Sequence, residues 1–255
     1  MEKVLKITLV VPTYNEIVGM KKIMKRVDSS LFHQIIVVDG GSTDGTLEYA
    51  LKNGFQVNKQ VRRGIRLGFI ENYENVTGDY IITFSPDGNS IPEIIPDLIE
   101  ELKKGYDMVI VSRYMGYARS HDDTLLSKLG NWFFTKLINL LFGFRFTDSI
   151  VMFRGYKKNI PEKLGLTKVR SDFYEKYIGR YISWEPTLSM RCAKCRMKIT
   201  EIPGDEPKRV EDEEDSTLRG FLLPSTRINH FRSGFACLYA VFEEFFKKKE
   251  KININ

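Results

Sequence analysis

The sequence predicts an α/β fold in which a mostly parallel sheet is flanked by helices. Between residues 6 and 113, β-rich apolar runs alternate with segments of helical spacing. These runs are nearly continuous in apolar residues, which is typical of strands buried on both faces. Hydrophobic residues make up 42% of the 255 residues, enough to bury a core. Repeated β-α-β units then form one sheet with right-handed crossovers.

The elements of this first part follow in strict order. The predicted strands are KITLVVPTY at 6–14, QIIVVD at 34–39, GFQVNKQVR at 54–62, DYIITFS at 79–85 and DMVIVSR at 107–113. The predicted helices are Asn15–Val27, Thr46–Asn53, Arg66–Val76 and Pro92–Lys104. Ligands of such sheets bind beyond the carboxyl ends of the strands, so polar residues at these ends are candidates for a site.

The alternation stops near Tyr114. An aromatic-rich helical stretch is predicted over Asp122–Phe146, and a helix over Glu185–Cys195 precedes a strand at 197–203. The helical stretch can be core, a membrane-surface helix or a subunit interface, and its spacing favours core. We expect one catalytic domain over residues 1–210. We expect residues 211–255 to form an acidic loop and a C-terminal amphipathic helix that pack on the same domain.

Charge and composition limit the class of protein and the cellular location that we expect. The net charge is +6, with an acidic run at Glu211–Asp215 and a basic tail at Lys247–Lys251 that can favour anionic membranes. Three cysteines argue against a disulfide scaffold. Neither a signal peptide nor a transmembrane helix is predicted. We expect a cytoplasmic protein, with peripheral contact at the cytoplasmic membrane face and homo-oligomer formation as further options, and no nucleic-acid partner.

Charged residues collect at the predicted strand ends. Asp39, Asp44, Asp87 and Arg113 all fall there. The chain lacks the glycine-rich phosphate loop of kinases and the fingerprint of dinucleotide-binding folds. In SPDGNS, Asp87 and Asn89 can ligate Mg²⁺ or Mn²⁺, because hard cations prefer oxygen ligands and borrow diphosphate oxygens. The alternative for this segment is an ordinary turn, since Pro, Asp, Gly and Asn are all turn formers.

Five motifs in order add a resemblance to a known family. VVPTYNE, VVDGGSTDGT, GDYIITFSPDGNS, DSIVMFRGY and EIPGDEPKR together resemble family 2 glycosyltransferases. They are similar to the branch that contains dolichol-phosphate mannose synthase and bacterial polysaccharide transferases. The resemblance implies a single nucleotide-binding domain of the glycosyltransferase A type and a nucleoside diphosphate sugar as donor.

The resemblance also implies roles for donor-side residues. The residues that match donor-binding positions are Pro12, Tyr14, Glu16, Asp39, Asp44 and Arg209. The metal motif of the family is Asp-x-Asp, in which Ser85 replaces the first acid here and Asp87 remains as the second. This replacement leaves the strength of metal dependence open. The neighbours of Arg209 suggest a mobile flap over the diphosphate.

Catalytic and acceptor roles are implied in the same way. WEPTLSMR places Glu185 on the general base of the family, and a first-turn helix residue is the alternative. Asp148 is the second candidate base. The candidate acceptor-binding residues are Arg113, Arg119, Ser127 and Arg154, although Arg154 can equally form a structural ion pair. Asp122 and Asp123 stand where the branch carries positive charge for a lipid phosphate, so they predict a hydroxyl acceptor.

Together with the resemblance, these residues imply a metal-dependent, inverting glycosyltransferase of cell-surface glycan assembly. It would act on a lipid-linked saccharide or glycan hydroxyl. Three alternatives stay open: a polyprenyl-phosphate glycosyltransferase, a nucleotidyltransferase and a non-catalytic protein that binds sugar nucleotides. The sequence does not identify the sugar, the base or the acceptor.

Overall fold

The sheet is the centre of the molecule. A computed structural model describes residues 5–210 and 230–247, and the strands in this part form one seven-stranded sheet of order β3-β2-β1-β4-β6-β5-β7. The strands are β1 (Ile7–Thr13), β2 (Gln34–Asp39), β3 (Gln56–Lys59), β4 (Tyr80–Thr83), β5 (Met108–Ser112), β6 (Arg154–Lys157) and β7 (Ile199–Pro203). All neighbouring pairs are parallel except those made by β6. The predicted α/β class and mostly parallel sheet are confirmed.

Helices cover both faces of this sheet. They are α1 (Ile17–Lys22), α2 (Thr46–Lys52), α3 (Ile65–Asn72), α4 (Ile95–Lys103), α5 (Leu125–Phe142), α6 (Asn159–Lys163), α7 (Asp172–Tyr177), α8 (Glu185–Lys194) and α9 (His230–Phe246). Alternate strand residues enter different cores: Leu9 and Val11 pack with α1, α2 and α4. Val10 packs on the opposite face with α3, α5, α8 and α9. This period of two explains why the strands are apolar throughout.

Strand β6 was not predicted. Its sequence, Arg-Gly-Tyr-Lys, is short and shows neither an apolar run nor a regular alternation. It runs antiparallel between β4 and β5, with Arg154 opposite Thr83 and Ile110. Gly155 allows α4 to pack closely here, because a Cβ at this position would lie 2.6 Å from Leu98 Cδ2. The formation of β6 is therefore determined by tertiary packing and not by a local sequence pattern.

The aromatic helix α5 is a surface helix. The sequence favoured a core position, but within α5 only Thr135 and Ile138 are fully buried. The large apolar side chains that α5 exposes are Leu125, Leu126, Leu129, Trp132, Phe133 and Leu140. The helix begins at the Thr124 cap and is followed by Gly143 in the left-handed region, a common helix end. A core position is therefore wrong for one face of α5, which we call the exposed apolar face.

The C-terminal helix α9 packs against α5 and α8. Glu244 of α9 accepts two hydrogen bonds from the buried guanidinium of Arg191, at 2.8 and 2.5 Å. Phe245 meets Phe142 edge to face, with ring centroids 6.4 Å apart. The predicted acidic run and most of the basic tail lie outside the described residues. Among the helices that are described, none is both long and apolar enough to cross a membrane.

Candidate functional site

Two loops meet at the carboxyl ends of β1 and β2. The Asn15 N–H donates to Ser42 Oγ at 2.9 Å, and Asn15 Oδ1 accepts from the Thr43 N–H at 2.8 Å. Asp44 Oδ2 accepts from the Ile17 N–H, and its other oxygen accepts from the Thr46 N–H, both at 3.0 Å. Asp44 therefore positions the starts of α1 and α2. Burial acts to raise its pKa, but the hydrogen bonds from Thr46 and Ile17 outweigh this and lower it.

Asp39 is the last residue of β2 and lies beside this pair of loops. It stands opposite Thr13 in the register and is almost fully buried. Its carboxylate accepts from the Gly41 N–H at 3.0 Å and from the Ser42 N–H at 3.1 Å. Of the other predicted nucleoside-binding residues, Pro12 is half-buried in β1, Tyr14 is exposed and Glu16 immediately precedes α1. The structure thus brings these residues to one edge of the sheet.

The segment that follows β4 forms the metal loop, which we define as Ser85–Ser90. The Asp87 carboxylate accepts from the Asn89 N–H at 3.0 Å, and the side chain is mostly buried. Gly19 of α1 packs directly on this loop, since a Cβ there would collide with the Pro86 carbonyl oxygen. Gly88 has a φ of 101°, which favours glycine, and a Cβ there would meet Val210. Close backbone packing therefore fixes the metal loop.

Asp122 lies beside the metal loop, although the two are distant in the sequence. The Asn89 Nδ2 donates to Asp122 Oδ2 at 3.1 Å. Arg209 Nε lies 3.7 Å from Asp87 Oδ2 and 3.5 Å from Asp122 Oδ2. One guanidinium therefore faces both carboxylates. The sequence analysis missed this proximity, because no local pattern connects the two acids.

The loop that carries Arg209 is anchored at several points. The Glu206 N–H donates to the Arg119 carbonyl oxygen at 3.0 Å, and the His121 N–H donates to the Glu206 carbonyl oxygen at 2.8 Å. The Val210 N–H donates to the Asp87 carbonyl oxygen at 2.9 Å. A flap was expected here, but these contacts attach the loop to the metal loop in this structure.

Arg113 and Asp148 form a buried ion pair. Arg113 Nε donates to Asp148 Oδ2 at 2.6 Å, and Arg113 Nη1 lies 3.2 Å from the Glu206 carboxylate. Burial acts to raise the pKa of Asp148, but the charge and hydrogen bonds of Arg113 outweigh it and hold this pKa below its ordinary value. Asp148 is fully buried, and its carboxylate is bound by Arg113. Arg113 likewise uses its guanidinium within the protein.

Glu185 and Arg154 are also buried, on the α8 side of the sheet. Arg154 donates to the carbonyl oxygens of Val151 and Glu185 and to Ser189 Oγ, at 2.9, 3.2 and 2.8 Å. Within the described residues, neither Glu185 carboxylate oxygen has a hydrogen-bond partner of regular geometry. Burial raises the pKa of Glu185 against the opposing charge of Arg154. Both side chains are thus enclosed within the protein, and the partners of Arg154 are carbonyl and hydroxyl oxygens.

The remaining acceptor-side residues surround the start of α5. Arg119 is exposed, and Ser127 Oγ donates to the Thr124 carbonyl oxygen at 3.0 Å. Asp123 accepts a hydrogen bond from the Tyr114 hydroxyl, and Asn131 Nδ2 lies 3.3 Å from its other oxygen. The two carboxylates that predicted repulsion of a phosphate are thus both hydrogen-bonded, Asp122 to Asn89 and Asp123 to Tyr114.

The metal loop offers oxygen donors of the type that a hard cation prefers. Asp87 and Asp122 supply carboxylates, and Asn89 Oδ1 is buried and has no donor among the described residues. An orphaned buried acceptor of this kind fits a cation site. In residues 5–210 and 230–247, no group of three or more His, Cys, Asp or Glu side chains is arranged to hold a metal ion. A metal bound here would therefore need further oxygens from the donor diphosphate.

Comparison with solved structures supports the fold class. Glucosyl-3-phosphoglycerate synthase from Mycobacterium tuberculosis, solved in complex with Mn²⁺, UDP-glucose and phosphoglyceric acid, is similar with a TM-score of 0.63. The likeness covers 94% of this chain and 80% of that one, at 17% sequence identity. At this identity the likeness concerns the fold alone, which is of the glycosyltransferase A type.

Comparison with protein families is more specific. The family described as Glycosyl transferase family 2 matches residues 8–165, and the chain belongs to this family. Dolichol-phosphate mannosyltransferase of Pyrococcus furiosus is 34% identical over 145 residues, 53% of this chain and 38% of the relative. Undecaprenyl-phosphate 4-deoxy-4-formamido-L-arabinose transferase of Aeromonas hydrophila subsp. hydrophila is 27% identical over 179 residues, 66% of this chain and 53% of the relative. The chain thus spans about half the length, or less, of these relatives, and the predicted family and branch are confirmed.

Proposed function

We propose that this chain transfers a glycosyl group from a nucleoside diphosphate sugar to a polyprenyl phosphate, with Mg²⁺ or Mn²⁺ as cofactor. The observation that carries the choice of acceptor is that Asp148 and Glu185, the two predicted bases, are both fully buried. A hydroxyl acceptor needs a base that removes its proton, whereas a phosphate oxygen is already ionised. The names of the two relatives, which contain dolichol phosphate and undecaprenyl phosphate, support the same acceptor.

The donor would lie across the loops after β1, β2 and β4. Asp39 would hold the base, and the loops that Asp44 joins would hold the nucleoside; the support is that both lie at the carboxyl ends of β1 and β2. Asp87 would hold the metal, which would supply positive charge to offset the charge that develops on the departing diphosphate. Arg209 is close enough to the metal loop to contact the same diphosphate. The donor contacts therefore come from separate loops that the sheet brings to one edge.

In the transfer step, an acceptor phosphate oxygen attacks the anomeric carbon of the sugar. A new carbon–oxygen bond forms while the bond to the nucleoside diphosphate breaks, and that group leaves with the bonding electrons. A single displacement of this kind inverts the anomeric carbon. Because Asp148 and Glu185 are buried, neither is positioned as a covalent nucleophile for a double displacement.

The exposed Arg119 is the residue best placed to bind the acceptor phosphate. It follows β5 at the same edge of the sheet, and its backbone is held by Asp205 and Glu206. Arg113 is less suited, because Asp148 and Glu206 already share its guanidinium. Asp122 repels a phosphate less than a bare carboxylate would, because the Arg209 guanidinium lies 3.5 Å from it.

The exposed apolar face of α5 fits peripheral contact with an anionic bilayer. Its leucine and aromatic side chains lie on a helix that also exposes Lys128 and Lys136. Apolar side chains that enter the acyl boundary beside lysines that meet anionic headgroups are the features of an interfacial helix. A bilayer contact would bring the start of α5, beside Arg119, to a lipid-borne phosphate.

The test is turnover of a panel of uridine and guanosine diphosphate sugars with undecaprenyl phosphate in detergent. The proposal expects release of nucleoside diphosphate and a lipid product whose sugar is phosphate-linked and inverted, as determined by NMR. Transfer to a lipid-linked saccharide but not to the lipid phosphate would establish the hydroxyl alternative. Pyrophosphate release would indicate a nucleotidyltransferase. Binding of the donor without transfer of its sugar to any acceptor would indicate a non-catalytic binding protein.

A further inference from the structure

The metal loop lacks one of the carboxylates that its family pattern provides. Ser85 stands at that position, and its N–H lies 3.4 Å from Ser90 Oγ. Asp87 is then the only acid of the loop itself. A single carboxylate is a weak anchor for a divalent ion in water, because the ion gives up its hydration reluctantly. A second negative group near Asp87 would therefore matter for metal binding.

Asp122 supplies a second carboxylate at this place. It belongs to the segment between β5 and α5, yet its Oδ2 accepts a hydrogen bond from Asn89 of the metal loop. The same oxygen and Asp87 Oδ2 both lie within 3.7 Å of Arg209 Nε. The Arg209 guanidinium is thus close to both carboxylates.

Asn89 contributes a buried amide oxygen to the metal loop. Its Nδ2 is used by Asp122, whereas its Oδ1 is buried and has no donor in the described part of the chain. A buried acceptor without a partner costs free energy, and native proteins pair such atoms with a donor, a water or an ion. This amide oxygen belongs to the same side chain that binds Asp122.

We propose that Asp122 replaces the missing acid of the motif as a metal ligand, and that Arg209 occupies the metal position until a divalent cation displaces it. Two carboxylates against one guanidinium leave one negative charge uncompensated, whereas a divalent cation compensates both. The displaced Arg209 then becomes available to the donor diphosphate. This inference rests on the proposed function, because it concerns the same donor site.

The experiment measures Mn²⁺ binding to the full chain by electron paramagnetic resonance, with Mn²⁺ alone and with added UDP or GDP. Asp122→Asn is expected to weaken Mn²⁺ binding by about tenfold, the loss of one charge-assisted ligand. Asp123→Asn is the matched control, because it removes the same charge one residue away, where the carboxylate bonds Tyr114. It should leave Mn²⁺ binding within about twofold of wild type. Circular dichroism of both variants verifies that they are folded.

Arg209→Gln tests the exchange itself. If Arg209 competes with the metal, this variant binds Mn²⁺ alone more tightly than wild type, while its affinity for the nucleoside diphosphate falls. Unchanged or weaker binding of Mn²⁺ alone overturns the exchange. Equal Mn²⁺ affinities of Asp122→Asn and Asp123→Asn, with normal binding by wild type, overturn the role of Asp122 only. A wild-type chain that binds no Mn²⁺ with either nucleotide overturns the metal dependence of the proposed function as well.

Discussion

Arg113 and Asp148 join the segment after β5 to the segment before β6, through a 2.6 Å contact between Nε and Oδ2. Glu206 approaches the same guanidinium from the loop that carries Arg209. Three stretches that are distant in sequence are therefore held together by one buried cation. Because Arg113 binds the carboxylate of Asp148, we expect a substitution of Asp148 to act mainly on the stability of the protein.

Asp148→Asn should destabilise the protein by about 3–5 kcal/mol, since breaking a buried pair leaves Arg113 partly uncompensated. The lowered pKa of Asp148 means that its stabilisation is present above the ordinary aspartate pKa of about 3.9 and is lost as the pH falls below it. Urea unfolding at neutral and acidic pH gives both quantities. Glu93→Gln, which breaks the exposed pair with Arg26, should cost no more than about 1 kcal/mol. Equal losses in the two variants would contradict the assignment.

Asp87→Asn should remove the metal dependence of nucleoside diphosphate binding while the fold is kept, because a loop carboxylate contributes little to core packing. Calorimetric titration with and without Mn²⁺ measures this dependence. Asp97→Asn, an exposed change of equal charge on α4, serves as the control. A variant at Asp87 whose affinity still rises with Mn²⁺ as in wild type would show that another residue holds the ion.

Asp39→Asn should weaken binding of a nucleoside and of its diphosphate alike, because the proposed contact is to the base. The carboxylate also accepts from the Gly41 and Ser42 N–H groups, so the amide is a milder test than alanine. Competition of uridine, guanosine and their diphosphates against a fluorescent analogue measures the effect. A loss confined to the diphosphates would move Asp39 to the phosphate side of the site.

Gly19→Ala should destabilise the protein by about 1–3 kcal/mol and weaken metal-dependent donor binding, because the added Cβ collides with the Pro86 carbonyl oxygen of the metal loop. Gly130→Ala in α5 is the matched control, since nothing lies within 4 Å of a Cβ there. That change should stabilise by about 0.5–1 kcal/mol, through better helix propensity. Thermal unfolding of both variants, followed by donor titration, separates the two effects. If both alanine variants are more stable than wild type, the metal loop at Pro86 shifts at little cost to make room for the added Cβ.

Leu129→Glu on the exposed apolar face should abolish co-sedimentation with anionic vesicles without lowering the melting temperature, because the side chain is exposed. Lys136→Gln should weaken the binding less, by about 1 kcal/mol for one surface charge. Light scattering on the same samples reports whether the face pairs two copies of the chain. A wild-type dimer that Leu129→Glu dissociates, together with no vesicle binding, would favour the interface between copies.

The sequence predicted the parts of the molecule that local patterns control. Strands β1, β2, β4 and β5 lie within their apolar runs, because a strand buried on both faces requires apolar residues at successive positions. The family and the donor-side edge followed from motifs at the ends of these strands. Asp122 was predicted to act on the acceptor. A sequence shows that this residue is acidic, but it does not show which residues lie beside it in the fold. The burial of Glu185 was likewise hidden, because a glutamate at a helix start is normally exposed.

The antiparallel strand β6 separates β4 from β5, although these two are consecutive strands in the chain. Until residues 154–157 are in place, β5 and its neighbour β7 have no hydrogen-bonded connection to the other strands of the described sheet. Closing the sheet therefore depends on a non-local pairing, whose loop-closure entropy slows folding. A fragment that ends before β6 would leave the edges of β4 and β5 exposed, a known route to aggregation. On the ribosome, the first five strands must accordingly wait for β6 before the sheet is complete.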